Sequence, residues 1–342
     1  MGKDLVLIPA YEPDGQLTEL TRRLQEENLD VLVVDDGSGE KYKDIFREVS
    51  RFATVLTLPQ NTGKGGALKT GMRYIRENLP EVEHFITCDA DGQHRVEDVL
   101  RVQKLLHKDE CFVLTVRYVT QKRPLRSKIG NSLSRYVYTL LTDTYLPDNQ
   151  SGLRGFSRKH LDWLIEVEKN NYDYEMNVLY YASKKNIRIA TLPIEAIYIG
   201  NNESSHFDPI RDTVRIYRSL FWLARGTFWA FLVSEFIVLL ASCIFGYHHL
   251  TFTIPFAAAN AYLAEYLFNR YICFRHTPCH NYLTKLAYTI IKYFLYTMAT
   301  MLLGYAAPQL PLWVAFNLAF VVFIPLRYLL HKLIWIASKT RE

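Results

Sequence analysis

Short apolar runs and amphipathic segments alternate through the amino-terminal part of the chain. The apolar runs predict β-strands at Leu5–Pro9, Val31–Val34, Thr54–Leu58 and His84–Cys88. The segments between them have apolar residues at helical spacing and predict helices at Leu17–Glu27, Ala67–Asn78 and Val96–Leu106. Strands that alternate with helices indicate an α/β domain with a mainly parallel sheet and helices on both faces.

Turn residues and carboxylates follow three of the predicted strands. They lie at Pro9–Pro13, Asp35–Ser38 and Asp89–His94. Functional groups of this fold class gather at the carboxyl ends of the strands. We therefore expect the three loops to converge on one crevice.

Long apolar segments dominate the carboxyl-terminal part. Four are long enough to cross about 30 Å of hydrocarbon, and they cover residues 227–246, 251–273, 285–307 and 311–330. We expect an all-α domain of four transmembrane helices. Lys and Arg are absent from the connections 246–250 and 305–311 but present between spans two and three and in the tail. This asymmetry predicts that both chain ends are cytoplasmic. Buried helices of a soluble domain are the rival interpretation, which such long apolar runs disfavour.

Two amphipathic segments have the character of interfacial helices. Residues 208–226 place four arginines on one helical face beside apolar residues, and Ile129–Leu146 is a second segment of this kind. Surface helices of a soluble domain are the alternative for both. The predicted domains are a catalytic domain at 1–207, a juxtamembrane helix at 208–226 and a membrane domain at 227–342.

Charge and cysteine content narrow the class of protein. The 342 residues carry a formal net charge of +5 at pH 7, and the basic residues cluster around the apolar segments. This pattern favours a bilayer surface or lipid head group as partner and argues against nucleic acid. The five cysteines show no paired spacing and predict reduced thiols. Because no secretory signal is recognisable, we expect the α/β domain to stay in the cytoplasm.

Two acidic motifs follow buried strands and carry the candidate chemistry. Asp89 and Asp91 occupy alternate positions after the strand that ends at Cys88. Carboxylate oxygens with this spacing suit Mg²⁺ or Mn²⁺. Asp35 and Asp36 follow another strand and could accept hydrogen bonds from a base or a ribose. When either motif is considered without the other, a solvated turn is the alternative interpretation.

Five motifs together resemble those of family 2 glycosyltransferases of the dolichyl-phosphate mannose synthase and polyprenyl-phosphate glycosyltransferase type. They are Ile8–Tyr11, Val33–Ser38, Asn61–Gly65, Asp89–His94 and Ser151–Phe156. The resemblance covers residues 3–225 and implies an α/β domain of the Rossmann-like GT-A type. The membrane part is similar to a GtrA-like four-helix domain through Phe268–Tyr271 and Phe274.

The resemblance also implies roles for individual residues on the donor side. Those implied to bind the donor nucleotide are Pro9, Ala10, Tyr11, Glu12, Asp36, Lys64, Asp89 and Ala90. Those implied to hold the metal are Asp89, Asp91, Gln93 and His206. A solvated loop lysine is the alternative for Lys64. Many relatives have an acidic residue at the position of Pro13, and Glu12 is the candidate to replace it.

On the acceptor side, the resemblance implies a second set of residues. Asp91, Asp148 and Arg117 are implied to be catalytic, with Asp148 orienting a group or accepting a proton. The sugar and the acceptor phosphate are implied to contact Gln150, Arg117, Arg126, Arg135 and Arg211. Arginine suits phosphate because its planar guanidinium donates two parallel hydrogen bonds.

These expectations combine into one predicted function. The chain is expected to be a metal-dependent, inverting glycosyltransferase that moves a hexose from a UDP- or GDP-sugar to a polyprenyl phosphate. It is expected to be a multi-pass protein of the cell membrane, with its catalytic domain and both termini in the cytoplasm. The alternatives are a glycolipid translocator with a donor-sensing domain and a processive polysaccharide synthase. The oligomeric state stays open, with a homo-oligomer among the options.

Overall fold

The computed structural model describes most of the chain. The described residues are 3–109, 111–118, 125–142, 144–185, 187–196, 211–245, 298–307 and 309–339, with the isolated positions 256, 260 and 263. They form two compact units. The first comprises residues 1–134, 147–183 and 187–220, and the second comprises 135–146, 184–186 and 221–342. The functional boundaries at 207 and 226 stay a prediction.

Seven strands form the sheet of the first unit. They are β1 Lys3–Ala10, β2 Asp30–Asp35, β3 Thr54–Thr57, β4 Val82–Thr87, β5 Phe112–Tyr118, β6 Arg154–Ser157 and β7 Ile189–Glu195. Their order in the sheet is β3-β2-β1-β4-β6-β5-β7. β6 runs antiparallel to β4 and β5, whereas the other pairings are parallel. This mixed sheet confirms the predicted Rossmann-like α/β domain.

Helices connect and flank the strands. They are α1 Gln16–Glu26, α2 Lys43–Val49, α3 Lys64–Asn78, α4 Val96–Lys108, α5 Leu125–Thr142, α6 Leu161–Glu166, α7 Asp173–Lys184 and α8 Arg211–Leu223. The boundary between the two units falls within α5, α7 and α8. α5 and α8 coincide with the two predicted amphipathic segments, so their helical structure is confirmed. Their contact with a bilayer stays a prediction.

The core lies between the sheet and its covering helices. β1 is buried on both faces, which explains its unbroken apolar run from Leu5 to Ile8. α1 buries Leu17, Leu20 and Leu24, the one apolar face that its spacing predicts. β1 lies between β2 and β4 in the sheet. The loops after these three strands are therefore neighbours, as the sequence predicts.

Among its described residues, the second unit contains two long helices, α9 Arg225–Phe245 and α10 Leu312–Lys339. Asn317 of α10 donates a 2.8 Å hydrogen bond to Glu235 of α9. None of the described helices is both long and apolar enough to cross a bilayer. The structure thus gives no support to the predicted four-helix membrane domain, although α9 and α10 cover its first and fourth segments. The segments 251–273 and 285–307, and the GtrA-like motif at 268–274, fall largely outside the described residues.

Candidate functional site

A cavity of about 700 Å³ lies in the first unit, at the carboxyl ends of β1, β2 and β4. Its walls come from the loops after these strands and after β3, from the segment before α7, and from the starts of α3 and α8. The lining residues are Pro9, Ala10, Tyr11, Glu12, Pro13, Asp14, Asp36, Tyr42, Asn61, Gly63, Lys64, Ala67, Asp89, Ala90, Asp91, Asn171, Tyr172, Asp212 and Arg215. The predicted crevice is therefore present. It contains all eight residues that were expected to bind the donor nucleotide.

Lys64 forms two ion pairs at the wall of this cavity. Its Nζ lies 2.7 Å from Asp89 Oδ1 and 2.7 Å from Glu175 Oε2. Burial alone would lower the pKa of Lys64, but the two carboxylates outweigh burial and raise that pKa above its ordinary value. Lys64 is thus a permanently charged part of a three-residue cluster. The alternative interpretation of Lys64 as a solvated loop lysine is therefore wrong.

Asp89 and Asp91 face opposite electrostatic conditions. Burial opposes ionisation of Asp89, but Lys64 and His94 more than compensate and lower the pKa of Asp89. His94 Nε2 lies 3.5 Å from Asp89 Oδ2. For Asp91, burial and the charge of Asp89 raise the pKa. Nearby positive groups therefore compensate the negative charge of Asp89 more fully than that of Asp91.

This arrangement fits the hard divalent cation predicted for the motif. Asp89 and Asp91 supply carboxylate oxygens, and a cation beside Asp91 would offset the repulsion that raises its pKa. The backbone N–H of Gln93 donates a 3.1 Å hydrogen bond to Asp91 Oδ1 and orients that carboxylate. His94 Nδ1 is buried and has no hydrogen-bond partner among the described residues. His94 ends the predicted motif and is thus a further polar group of this site, to which the sequence assigned no role.

The loop after β1 is tied to the loop after β2. The backbone N–H of Glu12 donates a 2.9 Å hydrogen bond to Ser38 Oγ, and Glu12 has a left-handed φ of 46°. Burial and the adjacent Glu12 carboxylate raise the pKa of Tyr11 above its ordinary value, so its hydroxyl stays protonated at neutral pH. Tyr11 and Glu12 thus line the cavity as a phenolic donor and a carboxylate.

Asp36 uses its carboxylate to hold the glycine-rich turn in front of α3. It accepts hydrogen bonds from the N–H of Thr62 at 2.7 Å, the hydroxyl of Thr62 at 2.7 Å and the N–H of Gly63 at 2.8 Å. Its own N–H donates to the Ala10 carbonyl at 2.8 Å. Asp36 therefore positions the turn that presents Lys64. Its expected contact with the nucleoside stays a prediction.

Arg117 and Asp148 form a bidentate pair beside the ends of β5 and β6. The Arg117 side chain donates to the two Asp148 oxygens at 2.7 and 3.2 Å, and the N–H of Gln150 donates to Asp148 Oδ1 at 2.9 Å. Burial raises the pKa of Asp148, but Arg117 outweighs burial, so this pKa lies below its ordinary value. A carboxylate in this state is a weak base. The geometry favours the orienting role expected for Asp148 over proton acceptance.

Gly152 brings the same segment against the acidic motif. A Cβ atom at this position would lie 2.3 and 2.6 Å from the two carboxylate oxygens of Asp89. The Gly152 carbonyl accepts a 2.9 Å hydrogen bond from Thr87, and Thr115 donates to the Leu153 carbonyl at 2.8 Å. The segment 148–153 is thus fixed to the ends of β4 and β5. Only glycine fits at position 152, because any side chain there would overlap the Asp89 carboxylate.

Among the residues expected near the acceptor phosphate or the metal, those that are described but do not line this cavity are Gln93, Arg117, Gln150, Arg135 and Arg211. Arg211 is exposed at the start of α8, and Arg135 belongs to the second unit, where it interacts with Tyr145. His206 and the side chain of Arg126 lie outside the described residues. Their expected roles stay predictions.

Sequence reasoning missed Glu175, although this residue organises the site. Glu175 pairs with Lys64, and its backbone carbonyl accepts a 2.8 Å hydrogen bond from buried Arg154. Arg154 also donates to the Ser151 carbonyl at 2.9 Å, which connects α7 to the segment that holds Gly152. The run Tyr172–Glu175, in which tyrosines and acidic residues alternate at a helix start, is the signal that could have identified Glu175.

Asp212 and Arg215 at the start of α8 were also missed as lining residues. Asp212 is buried and lies 3.4 Å from the Arg215 guanidinium. Both line the cavity. The sequence predicts an amphipathic face for this segment and a phosphate contact for Arg211, and neither prediction reveals that Asp212 and Arg215 reach the cavity.

Comparison with known proteins gives one family. The model of the family described as glycosyl transferase family 2 matches residues 5–164. A Methanococcus voltae protein named UDP-N-acetylglucosamine–dolichyl-phosphate N-acetylglucosaminyltransferase is 30% identical over 215 residues, which cover 56% of this chain and 85% of that protein. A dolichyl-phosphate beta-glucosyltransferase of Dictyostelium discoideum is 24% identical over 245 residues, with 63% and 72% covered.

The comparison with solved structures gives a more distant match. Glucosyl-3-phosphoglycerate synthase from Mycobacterium tuberculosis, in complex with Mn²⁺, uridine diphosphate and glucosyl-3-phosphoglycerate, is 16% identical. The TM-score is 0.49, and the alignment covers 64% of this chain and 78% of that chain. On the family match and the identity across most of the M. voltae protein, the chain belongs to glycosyl transferase family 2.

Proposed function

We propose that this chain transfers a hexose from a UDP- or GDP-sugar to a polyprenyl phosphate, in a metal-dependent reaction that inverts the anomeric carbon. The observation that carries the proposal is the position of Asp89 and Asp91 in a cavity at the edge of a Rossmann-like sheet, in a chain of glycosyl transferase family 2. The cavity volume of about 700 Å³ lies in the range of small-molecule sites.

The donor side of the proposal rests on the charges of the cavity. Mg²⁺ or Mn²⁺ held by Asp89 and Asp91, with Gln93 and His206 as further candidates, would neutralise negative charge on the departing nucleoside diphosphate. Lys64 supplies a fixed positive charge on the wall of the same cavity. Tyr11 and Glu12 offer hydrogen-bonding groups to the nucleoside.

The acceptor side rests on the chemistry of a phosphate monoester. Such a group has a second pKa near 6 and is mostly ionised at neutral pH, so its oxygen can attack without a strong general base. The pairing of Asp148 with Arg117 is consistent with this, because it lowers the pKa of the candidate base. The names of the M. voltae and D. discoideum relatives support a dolichyl-phosphate type of acceptor.

Attachment to the cytoplasmic face of the cell membrane is part of the proposal. Large apolar side chains at helical spacing are exposed on α9, and they include Phe228, Leu232, Phe236 and Leu240. Soluble monomers rarely expose apolar surface of this extent. An acceptor with a polyprenyl chain also requires a site near lipid.

The proposal is tested with full-length protein purified in detergent. Polyprenyl phosphate, Mn²⁺ and a panel of UDP-glucose, UDP-N-acetylglucosamine and GDP-mannose are added, and nucleoside diphosphate release is measured with and without the lipid. We expect lipid-dependent release from one donor. Asp91→Asn should lower its rate by about 100-fold or more, because charge stabilisation of the leaving group is lost.

The matched control is Asp44→Asn, an exposed aspartate paired only with Arg47 among the described residues, and it should retain the wild-type rate. Folding of each variant is checked by circular dichroism. Absence of release from every donor, or release that Asp91→Asn leaves unchanged, would contradict the proposal.

A further inference from the structure

Asp4, His84 and His107 form a polar cluster at the amino end of the sheet, away from the cavity. Asp4 and His84 are register partners on β1 and β4, and His107 lies in the last turn of α4. A carboxylate oxygen and one nitrogen from each imidazole ring all lie within 4.8 Å of one another. Three separate elements thus direct metal-ligating atoms to one point.

Asp4 stands at the centre of the cluster. His84 Nδ1 lies 3.0 Å from Asp4 Oδ1, and His107 Nε2 lies 2.6 Å from Asp4 Oδ2. Gln103 donates a 2.7 Å hydrogen bond from its side chain to Asp4 Oδ2. Each oxygen of this carboxylate therefore faces a histidine, and Gln103 fixes the orientation of the carboxylate as outer partners of metal ligands do.

We propose that this cluster binds a divalent transition metal of the Zn²⁺ type. Two imidazoles and one carboxylate are a donor set that suits Zn²⁺, whereas Mg²⁺ and Mn²⁺ prefer oxygen ligands. Ligand bonds near 2.0–2.1 Å in tetrahedral geometry place ligand atoms about 3.3 Å apart. The observed separations of 3.0 and 2.6 Å need to widen by less than about 1 Å to reach this spacing.

Burial and access also suit a bound cation. The side chains of Asp4 and His84 are 6% and 8% exposed, whereas that of His107 is 43% exposed. His107 can therefore rotate to admit the ion, and three protein ligands leave one position for water. The carboxyl end of α4 contributes negative helix-dipole potential beside His107. A metal here would join β1, β4 and α4.

The consequence is stabilisation that does not depend on the cavity. A ligand that binds only the folded state raises the melting temperature by mass action. For full-length protein without an affinity tag and stripped of metal, we expect saturating Zn²⁺ to raise the melting temperature by about 5 °C or more. We expect Mg²⁺ at the same concentration to have no such effect. Co²⁺ should give the visible absorption of a tetrahedral site with one equivalent bound, and Zn²⁺ should abolish it.

Two variants identify the ligands. His107→Ala should weaken Co²⁺ binding by about 100-fold or more, and its partly exposed position allows the variant to fold, as circular dichroism of the metal-free protein will check. Asp91→Asn removes the other candidate metal site and should leave the Co²⁺ spectrum intact. No Co²⁺ spectrum in the wild type, or one that persists in His107→Ala, would overturn the proposal and leave Asp4 as a carboxylate bridging two histidines without metal.

Discussion

Replacing Lys64 with methionine is expected to lower the free energy of unfolding by about 3 kcal/mol, because two largely buried carboxylates then lose their shared countercharge. Asp89 and Glu175 each lie 2.7 Å from the Lys64 ammonium, and the Lys64 side chain is only 16% exposed. Methionine keeps the length and apolar stem of lysine, so the change removes charge more than volume. Urea unfolding monitored by circular dichroism measures the effect.

A control variant and a second substitution separate charge from packing in this experiment. Lys43→Met breaks an exposed pair with Glu40 and should cost less than about 1 kcal/mol. Adding Glu175→Gln to Lys64→Met removes one of the two carboxylate charges and should restore part of the lost stability. If Lys64→Met were no more destabilising than Lys43→Met, the Lys64 cluster would not have the electrostatic role described above.

Gly152→Ala is expected to reduce transferase activity by about 100-fold and to cost about 1–3 kcal/mol of stability. The added Cβ would lie 2.3 Å from an Asp89 oxygen, so the carboxylate must move away from its position beside Lys64. Displacement of a catalytic group by about 1 Å can cost this factor in rate. The rate of lipid-dependent nucleoside diphosphate release measures the loss.

Gly155→Ala is the matched control, which should lower stability to a similar extent without the loss of rate. Its Cβ would lie 2.6 Å from Val102 and 2.9 Å from Leu106, in the core below α4. Overpacking there should cost about 1–3 kcal/mol of stability, while the rate of the folded enzyme changes little. Equal rates for Gly152→Ala and wild type would show that Asp89 does not need its present position.

The sequence was sufficient to predict which loops form the site. The apolar runs at β1, β2 and β4 identify buried strands, and the carboxyl ends of parallel strands meet at one edge. The polar residues after Pro9, Asp35 and Cys88 therefore had to converge, and the structure places them around one cavity. This inference needs only local pattern and the general geometry of α/β sheets.

Other features depend on tertiary contacts that local pattern does not encode. β6 has the sequence Arg-Gly-Phe-Ser, which lacks the β-branched run typical of a strand, and it is held by pairing with β4 and β5. Glu175 is far from Lys64 in sequence, and they meet only when α7 packs beside α3. The pair Arg117 and Asp148 likewise forms only after β5 and the segment before β6 come together.

The most direct test of the proposed function is the chemical identity of the lipid product. After incubation with the donor that supports release, the lipid fraction is examined by mass spectrometry and the anomeric configuration by NMR. The proposal predicts a polyprenyl phosphate that is heavier by one sugar residue, with the anomeric configuration inverted relative to the donor, and absent from Asp91→Asn. Free sugar without glycolipid, or a glycolipid with retained configuration, would contradict it.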